Sequence, residues 1–454
     1  MARKKNNGKH ALLIYPRTPG TVTSNDVTFP FPFLGLTQVA AAFPEHYTVR
    51  IIDERIRRVR GTEPADIVFI SALTSSALRA YALADMFRKR GIPVVLGGVH
   101  ATVLPDEAAR HATTVVIGEA EDILGGLLAD FDSGALAKRY QSPAPPDLDT
   151  IPAPRLRLLS WRHRLYLAAI QTSRGCPHRC DFCSVPVISG SRLRQKSLAT
   201  VERELQELSR LRTRNLFVVD DNFTATKERT LAIVELFRYY GYRWTGFSTL
   251  PASEDEDFLR ALHDGGCTSL FVGFESLYGQ AGVSKNRRYE TPDQIRAAVN
   301  RIHRHGIGIQ GSFIFGFDGH TEEIFQETAA FIQEAGIDLP TISLLTPLPG
   351  TAFFDVFDRE SRLLHKNWNE YDMNHVVIEP RQMRAEILQQ GYAWALKYLA
   401  SPTSIIARLR RGVGFRKDFL IANFALHNGQ TRLAHSLWNK NAQRRLREKG
   451  LCPC

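Results

Sequence analysis

Cys176, Cys180 and Cys183 are half of the six cysteines in this chain. They fall within one run of twelve residues, Thr-Ser-Arg-Gly-Cys-Pro-His-Arg-Cys-Asp-Phe-Cys, spanning 172–183. Thiolates are soft ligands, and three of them on one loop can hold an iron–sulfur cluster while leaving one iron without a protein ligand. An iron with an open position can bind and reduce another molecule. The competing reading is a structural zinc site with His178 or a distant residue as fourth ligand. Zinc sites usually pair two short-spaced knuckles, and no second pair lies in the segment that follows these three. Cys267 stands alone and reads as a small buried hydrophobe. Cys452 and Cys454 close the sequence as Cys-Pro-Cys. They are either inert thiols in a disordered tail or a soft clip for a metal, a metalloid or a second cluster.

The elements that must hold this loop can be read from hydrophobic spacing. An apolar run from Tyr166 to Thr172 leads into the cysteines as a buried strand. Helix-like segments at 198–211, 227–240, 254–263, 292–305 and 322–335 then alternate with strand-like runs at 215–220, 244–250, 269–275, 307–317 and 341–345. This makes about six β/α units, too few for a closed eightfold barrel, and predicts a partial (β/α)6 barrel. Active sites of barrels lie at the carboxyl ends of the strands. Asp220, Asp221, Asn222, Glu275, Ser276, Gly316 and the run Thr346–Gly350 occupy those ends, on the side of the cysteine loop. Asp220 and Asp221 are adjacent, so on a continuing strand they would point to opposite faces and one would be structural. Glu275, followed by Ser276, reads equally well as a helix cap.

Residues 11–131 form a second alternating series, which predicts a Rossmann-like parallel sheet with helices on both faces. Ligands of such sheets bind beyond the strand carboxyl ends. Thr74, Ser75, Gly97, Gly98, His100, Thr102, Gly118 and Glu119 lie there. The expected organisation is an α/β chain with a first domain at 8–141 and a proline-rich linker at 142–160. The barrel follows at 161–355 and a helical, basic C-terminal region at 356–454.

Bulk composition sets limits. Hydrophobic residues make up 44% and charged residues 23% of the 454-residue chain, ordinary for a globular protein of two or three domains. No apolar run is long enough to span a bilayer. The opening Met-Ala-Arg-Lys-Lys lacks the apolar core of a secretory signal, so a cytoplasmic protein with reduced thiols is expected. The net charge of +11 is concentrated in residues 401–454, where eleven Lys and Arg face only Asp418 and Glu448. That tail is either a solvated helix face or a basic, aromatic surface for peripheral contact with an anionic membrane. It carries no recognisable nucleic-acid module, and no nucleic-acid partner is expected.

The cysteine loop resembles that of the radical S-adenosylmethionine superfamily over about residues 160–350. So do Val-Val-Asp-Asp-Asn-Phe (218–223), Val-Gly-Phe-Glu-Ser (272–276) and Thr-Pro-Leu-Pro-Gly (346–350). The resemblance implies a 4Fe–4S cluster on Cys176, Cys180 and Cys183, whose unique iron chelates S-adenosylmethionine. It places Phe182 near the adenine, Asp220, Asp221 and Asn222 at the methionine end, and Glu275 and Gly316 among the S-adenosylmethionine contacts. Residues 10–140 resemble the cobalamin-binding domain that precedes many such enzymes, through Gly97-Gly-Val-His-Ala-Thr102 and Val116-Ile-Gly-Glu-Ala-Glu121. The Asp-x-His-x-x-Gly pattern that supplies a histidine to cobalt is absent from this sequence. By resemblance the chain is a cobalamin-dependent radical enzyme that methylates an unactivated carbon or phosphorus of a small molecule or lipid. A one-electron reductant such as flavodoxin or ferredoxin is the implied partner. Cyclisation, rearrangement or carbon transfer without cobalamin as methyl donor is the alternative outcome. A cofactor-binding sensor is a third reading, and it leaves the polar barrel mouth without a use.

Overall fold

The structure, a computed structural model, describes residues 8–18, 33–160, 167–211, 213–278 and 291–437. Tyr166, Cys452 and Cys454 lie outside the described residues, as does the basic stretch beyond 437.

Two six-stranded parallel sheets organise the chain. The first contains β1 (His10–Tyr15), β2 (Thr48–Asp53), β3 (Ile67–Ser71), β4 (Val94–Gly97), β5 (Thr114–Ile117) and β6 (Arg139–Gln141). Its order is β2-β1-β3-β4-β5-β6. The short β6 was not expected from the sequence. Strand residues alternate between two buried faces, as an inner parallel sheet requires. Ala11, Leu13, Ile67, Phe69, Val95 and Val116 pack against Leu36 and Ala40 of the helix Leu34–Ala41 and Leu124, Leu127 and Leu128 of Leu124–Ser133. Leu12, Ile14, Val68, Ile70 and Leu96 face the helix Ala77–Arg88 on the other side.

The second sheet contains β7 (Ala168–Ile170), β10 (Asn215–Val218), β11 (Arg243–Ser248), β12 (Cys267–Glu275), β13 (Gly308–Phe315) and β14 (Leu339–Leu344). Its order, β14-β13-β12-β11-β10-β7, is that of the predicted partial barrel. A separate antiparallel pair, β8 (Ser173–Arg174) with β9 (Arg194–Gln195), closes the base of the cysteine loop. Capping residues start the outer helices where the sequence supplies them. Thr291 and Gln294 form a reciprocal capping box before Pro292–Arg304, and Asp255 caps Glu256–Asp264, satisfying otherwise orphaned N–H groups.

Two connections differ from expectation. The proline-rich stretch 142–160 is laid down along the domain seam, burying Leu148, Ile151, Leu156 and Leu159. Asp149 Oδ1 accepts from the Ser197 amide at 2.7 Å. Beyond the barrel, residues 357–378 do not simply continue as helix. Phe357, Trp368, Tyr371, Val377 and Ile378 enter the core of the first sheet. The helices Ala385–Leu399, Pro402–Arg411 and Lys417–Leu437 come only after this strap. No helix among the described residues is long and apolar enough to cross a membrane.

Candidate functional site

Both aspartates after β10 brace the cysteine loop. Asp220 is fully buried and accepts from the Thr172 amide at 2.6 Å, the Thr172 hydroxyl at 2.5 Å and the Ser173 hydroxyl at 2.6 Å. Asp221 accepts from the Gly175 amide at 2.8 Å. The sequence reading assigned only one of the pair a structural role, because it assumed strand alternation. The strand ends at Val218, and beyond it the backbone turns both carboxylates towards the loop. Burial pushes both carboxyls up, and the hydrogen bonds they accept pull the other way. Gly175 has φ 89°, and a side chain there would strike the carbonyl oxygens of Arg192 and Gly190. The backbone one residue before Cys176 is therefore fixed on three sides.

The three thiols are half-buried and free of disulfides. Burial, with Cys180, Cys176 and Asp221 adding, pushes the Cys183 thiol up to about 11. Cys176 is raised by burial as well. Iron would have to displace those protons, so cluster assembly and thiolate formation are one step. Among the described residues no three His, Cys, Asp or Glu side chains converge on one point as a mononuclear site needs. A polynuclear cluster gives each thiolate its own iron and does not need that convergence. Three thiols on a braced loop with hydrophobic Phe182 between them fit such a cluster. Cys267 lies inside β12 and is buried, its thiol pushed up by burial.

The barrel mouth faces this loop. Phe182 packs edge-on against Phe317 and Phe353, with ring centroids 6.0 and 6.3 Å away. The Phe353 amide donates to the Asp181 carbonyl at 3.0 Å. Glu275 ends β12 at a register shift against β13, with φ 61°, and its carboxylate folds back over Gly273. It caps no described helix. Gly316 ends β13 at φ 110°. Its amide donates to His320 Nδ1 at 3.3 Å, and His320 Nε2 lies 3.0 Å from the Ser276 hydroxyl. His320 thus ties the ends of β12 and β13, and burial lowers its pKa to about 4. Sequence reasoning missed it, because no motif marks a lone histidine five residues past a strand. Asn222 is buried in the turn after Asp221, with Thr224 Oγ1 3.5 Å from its Oδ1.

A cavity of about 500 Å³ opens where the first sheet meets the barrel. Gly97, Gly98, Gly118 and Glu119 line it from one side, and Gln171, Arg174, Ser189 and Val219 from the other. Gly98 has φ 88°, and a Cβ there would sit 2.8 Å from Ser71 Oγ and 2.9 Å from the Ala72 backbone. Thr102 braces the two glycine turns, donating to the Gly98 carbonyl at 2.9 Å and accepting from the Gly118 amide at 3.0 Å. An apolar depth formed by Leu36, Val39, Phe69, Val95, Val116 and Leu127 continues beneath. A wide mouth of bare backbone over an apolar slot suits a large, flat cofactor with a heteroaromatic tail.

Thr74, Ser75 and His100 lie off this cavity. Thr74 is buried, and Ser75 Oγ lies 3.0 Å from Thr18 Oγ1. His100 is wholly buried, with Nε2 3.4 Å from Glu107 Oε1 and its ring edge-on to Trp368 of the strap. Glu119 lines the cavity, but its carboxylate is engaged by Arg174 and Arg194.

Residues 170–332 match the model of the radical SAM superfamily, and residues 20–128 match that of the B12 binding domain. Bacteriochlorophyllide d C-12(1)-methyltransferase of Chlorobaculum tepidum is 30% identical over 90% of this chain and 91% of its own length. Bacteriochlorophyllide d C-8(2)-methyltransferase of the same organism is 26% identical over 86% of this chain and 92% of its own. The fold is shared with the cobalamin-dependent S-adenosylmethionine radical enzyme OxsB, whose solved structure holds aqua-cobalamin and S-adenosylmethionine. The TM-score is 0.68 at 14% identity, covering 98% of this chain and 76% of that one. With two matched domains in the expected order and a relative alike along nearly its whole length, this chain belongs to the radical S-adenosylmethionine enzymes that carry a B12-binding domain.

Proposed function

We propose that this protein transfers a methyl group to an unactivated carbon of an apolar small molecule. Cys176, Cys180 and Cys183 would hold a 4Fe–4S cluster, and the cavity at Gly98 and Gly118 would hold cobalamin. One observation carries the reading: the cavity takes its second wall from Gln171 and Arg174, the latter two residues before Cys176. Together the bound groups would supply reductive cleavage of S-adenosylmethionine and a cobalt-borne methyl group.

The chain's own residues place and enclose. Asp220 and Asp221 fix the loop that presents the thiols. Phe182, Phe317 and Phe353 pack together as an apolar wall that would keep water from the bound groups beside it. Glu275, Asn222 and Gly316 line the S-adenosylmethionine side of the mouth in this reading. The relatives named for bacteriochlorophyllide d make a tetrapyrrole side chain the first substrate class to try. A small one-electron donor such as flavodoxin or ferredoxin suits the exposed side of the cysteine loop, and a reducing cytoplasm suits its thiols.

The test is anaerobic purification with iron, sulfide and corrinoid quantified, followed by turnover with a reductant and candidate tetrapyrroles. Methyl transfer predicts 5′-deoxyadenosine and S-adenosylhomocysteine together with a product heavier by one methylene. Deoxyadenosine without S-adenosylhomocysteine would replace this reading with cyclisation or rearrangement.

A further inference from the structure

Arg174 joins the two halves of the site through one ionic unit. Its Nη1 donates to Glu119 Oε2, its Nη2 to Glu121 Oε1 at 2.7 Å and its Nε to Gln171 Oε1 at 2.8 Å. Arg194, opposite it on the β8–β9 ladder, donates to both oxygens of Glu119 and to the Pro146 carbonyl at 3.1 Å. The side chains of Arg174, Glu119 and Glu121 are only 11%, 14% and 9% exposed. Two guanidinium groups face two carboxylates, and Asp221 lies near enough to feel both cations. Buried pairs of this kind are strongly position-determining, since removing one member strands a desolvated charge.

The ends of this unit matter more than its strength. Glu119 directly follows Gly118, whose turn lines the cavity, and Glu121 lines it too. Arg174 cannot shift without the cysteine loop, because Ser173 and Gly175 on either side of it are held by Asp220 and Asp221. A change in the cavity wall therefore has a rigid, charge-locked route to the residue two before Cys176.

We infer that Arg174 is a positioning residue that couples occupancy of the cavity to the cysteine loop, so that corrinoid binding and cluster binding strengthen one another. The inference rests on the two-cofactor reading above. Linkage makes the coupling reciprocal: a protein already carrying its cluster should bind hydroxocobalamin more tightly than the cluster-free form, by at least about fivefold.

The experiment is an absorbance titration of hydroxocobalamin into full-length protein, cluster-free and anaerobically reconstituted, for wild type, Arg174→Met, Arg174→Lys and Glu119→Gln. The spectrum of the oxidised cluster is recorded with and without corrinoid, the spectrum of free corrinoid being subtracted. Wild type should show the affinity difference and a corrinoid-dependent change in the spectrum. Arg174→Met and Glu119→Gln should bring the ratio of affinities close to one. Arg174→Lys, which keeps the charge without the fork of donors, should restore part of it and serves as the readout if Arg174→Met does not fold. An undiminished ratio in the Glu119 and Arg174 variants would overturn the inference, as would independent binding in wild type. Failure of wild type to bind one of the two groups would instead overturn the two-cofactor reading.

Discussion

The two parallel sheets have the same number of strands and opposite solutions to binding. In the first sheet the order turns back at β1, which sits between β2 and β3. Helices consequently cover both faces, and a crevice opens beyond the carboxyl ends. That crevice presents backbone: Gly98 and Gly118 line it at positive φ, and Thr102 holds the two turns together. In the second sheet the order never reverses, and the sheet curls with a mouth at its carboxyl end. What it offers at that mouth is a loop of three thiols, and the carboxylates of Asp220 and Asp221 hold that loop in place. Parallel topology thus sets where both openings lie, at the carboxyl ends of the strands.

The sharpest way to break this comparison is to remove a ligand from the side-chain site. Cys176→Ser should reduce iron and sulfide far below stoichiometry and bring S-adenosylmethionine cleavage to background, as measured on anaerobically reconstituted protein. The first sheet should stay folded, because no cysteine contributes to its core.

Next comes the brace. Asp220→Ala leaves the Thr172 amide and two hydroxyls unpaired in a fully buried position, which costs about 3 kcal/mol. A lowered urea midpoint together with reduced iron content is the expected result. Asp220→Asn should recover part of both.

A pH series sharpens the contrast, because His320 ties two strand ends of the barrel. Its folded pKa lies near 4, below the unfolded value of 6.5. The unfolded chain therefore binds the proton first, and stability falls as pH drops from about 6.5 towards 4. The loss approaches roughly 3 kcal/mol at the lower limit. Wild type should lose urea resistance between pH 7 and 5, and His320→Gln should lose less. Equal losses in the two proteins would remove this assignment.

The smallest expected effect falls on the backbone-lined side. Gly98→Ala forces a side chain into a glycine-only conformation and against Ser71 and Ala72, costing about 2 kcal/mol. Corrinoid affinity should drop while iron content holds. Loss of iron with intact corrinoid binding would contradict the division of labour between the sheets.

Much of this was legible in the residues because it is local. Three thiols at fixed spacing, glycines ending buried strands and two alternating β/α series are properties of short segments, and short segments set secondary structure and donor type. The runs predicted at 292–305 and 341–345 became Pro292–Arg304 and Leu339–Leu344 because a capping box and a buried apolar run leave little freedom. The spacing places Asp220 and Asp221 at a strand end, but that both turn to the cysteine loop follows from the chain leaving strand geometry after Val218. No spacing rule announces that exit.

What the sequence by itself determined is the chemistry on offer and the order of the elements that carry it. The fold alone decided which distant charges meet. Glu119 and Arg174 are 55 residues apart, and nothing in either neighbourhood names the other. Likewise Trp368 reaches Glu107, and His320 reaches Ser276, only because sheets and strap pack as they do. Spacing along a chain fixes what neighbours can do, whereas burial of apolar faces fixes which strangers become neighbours.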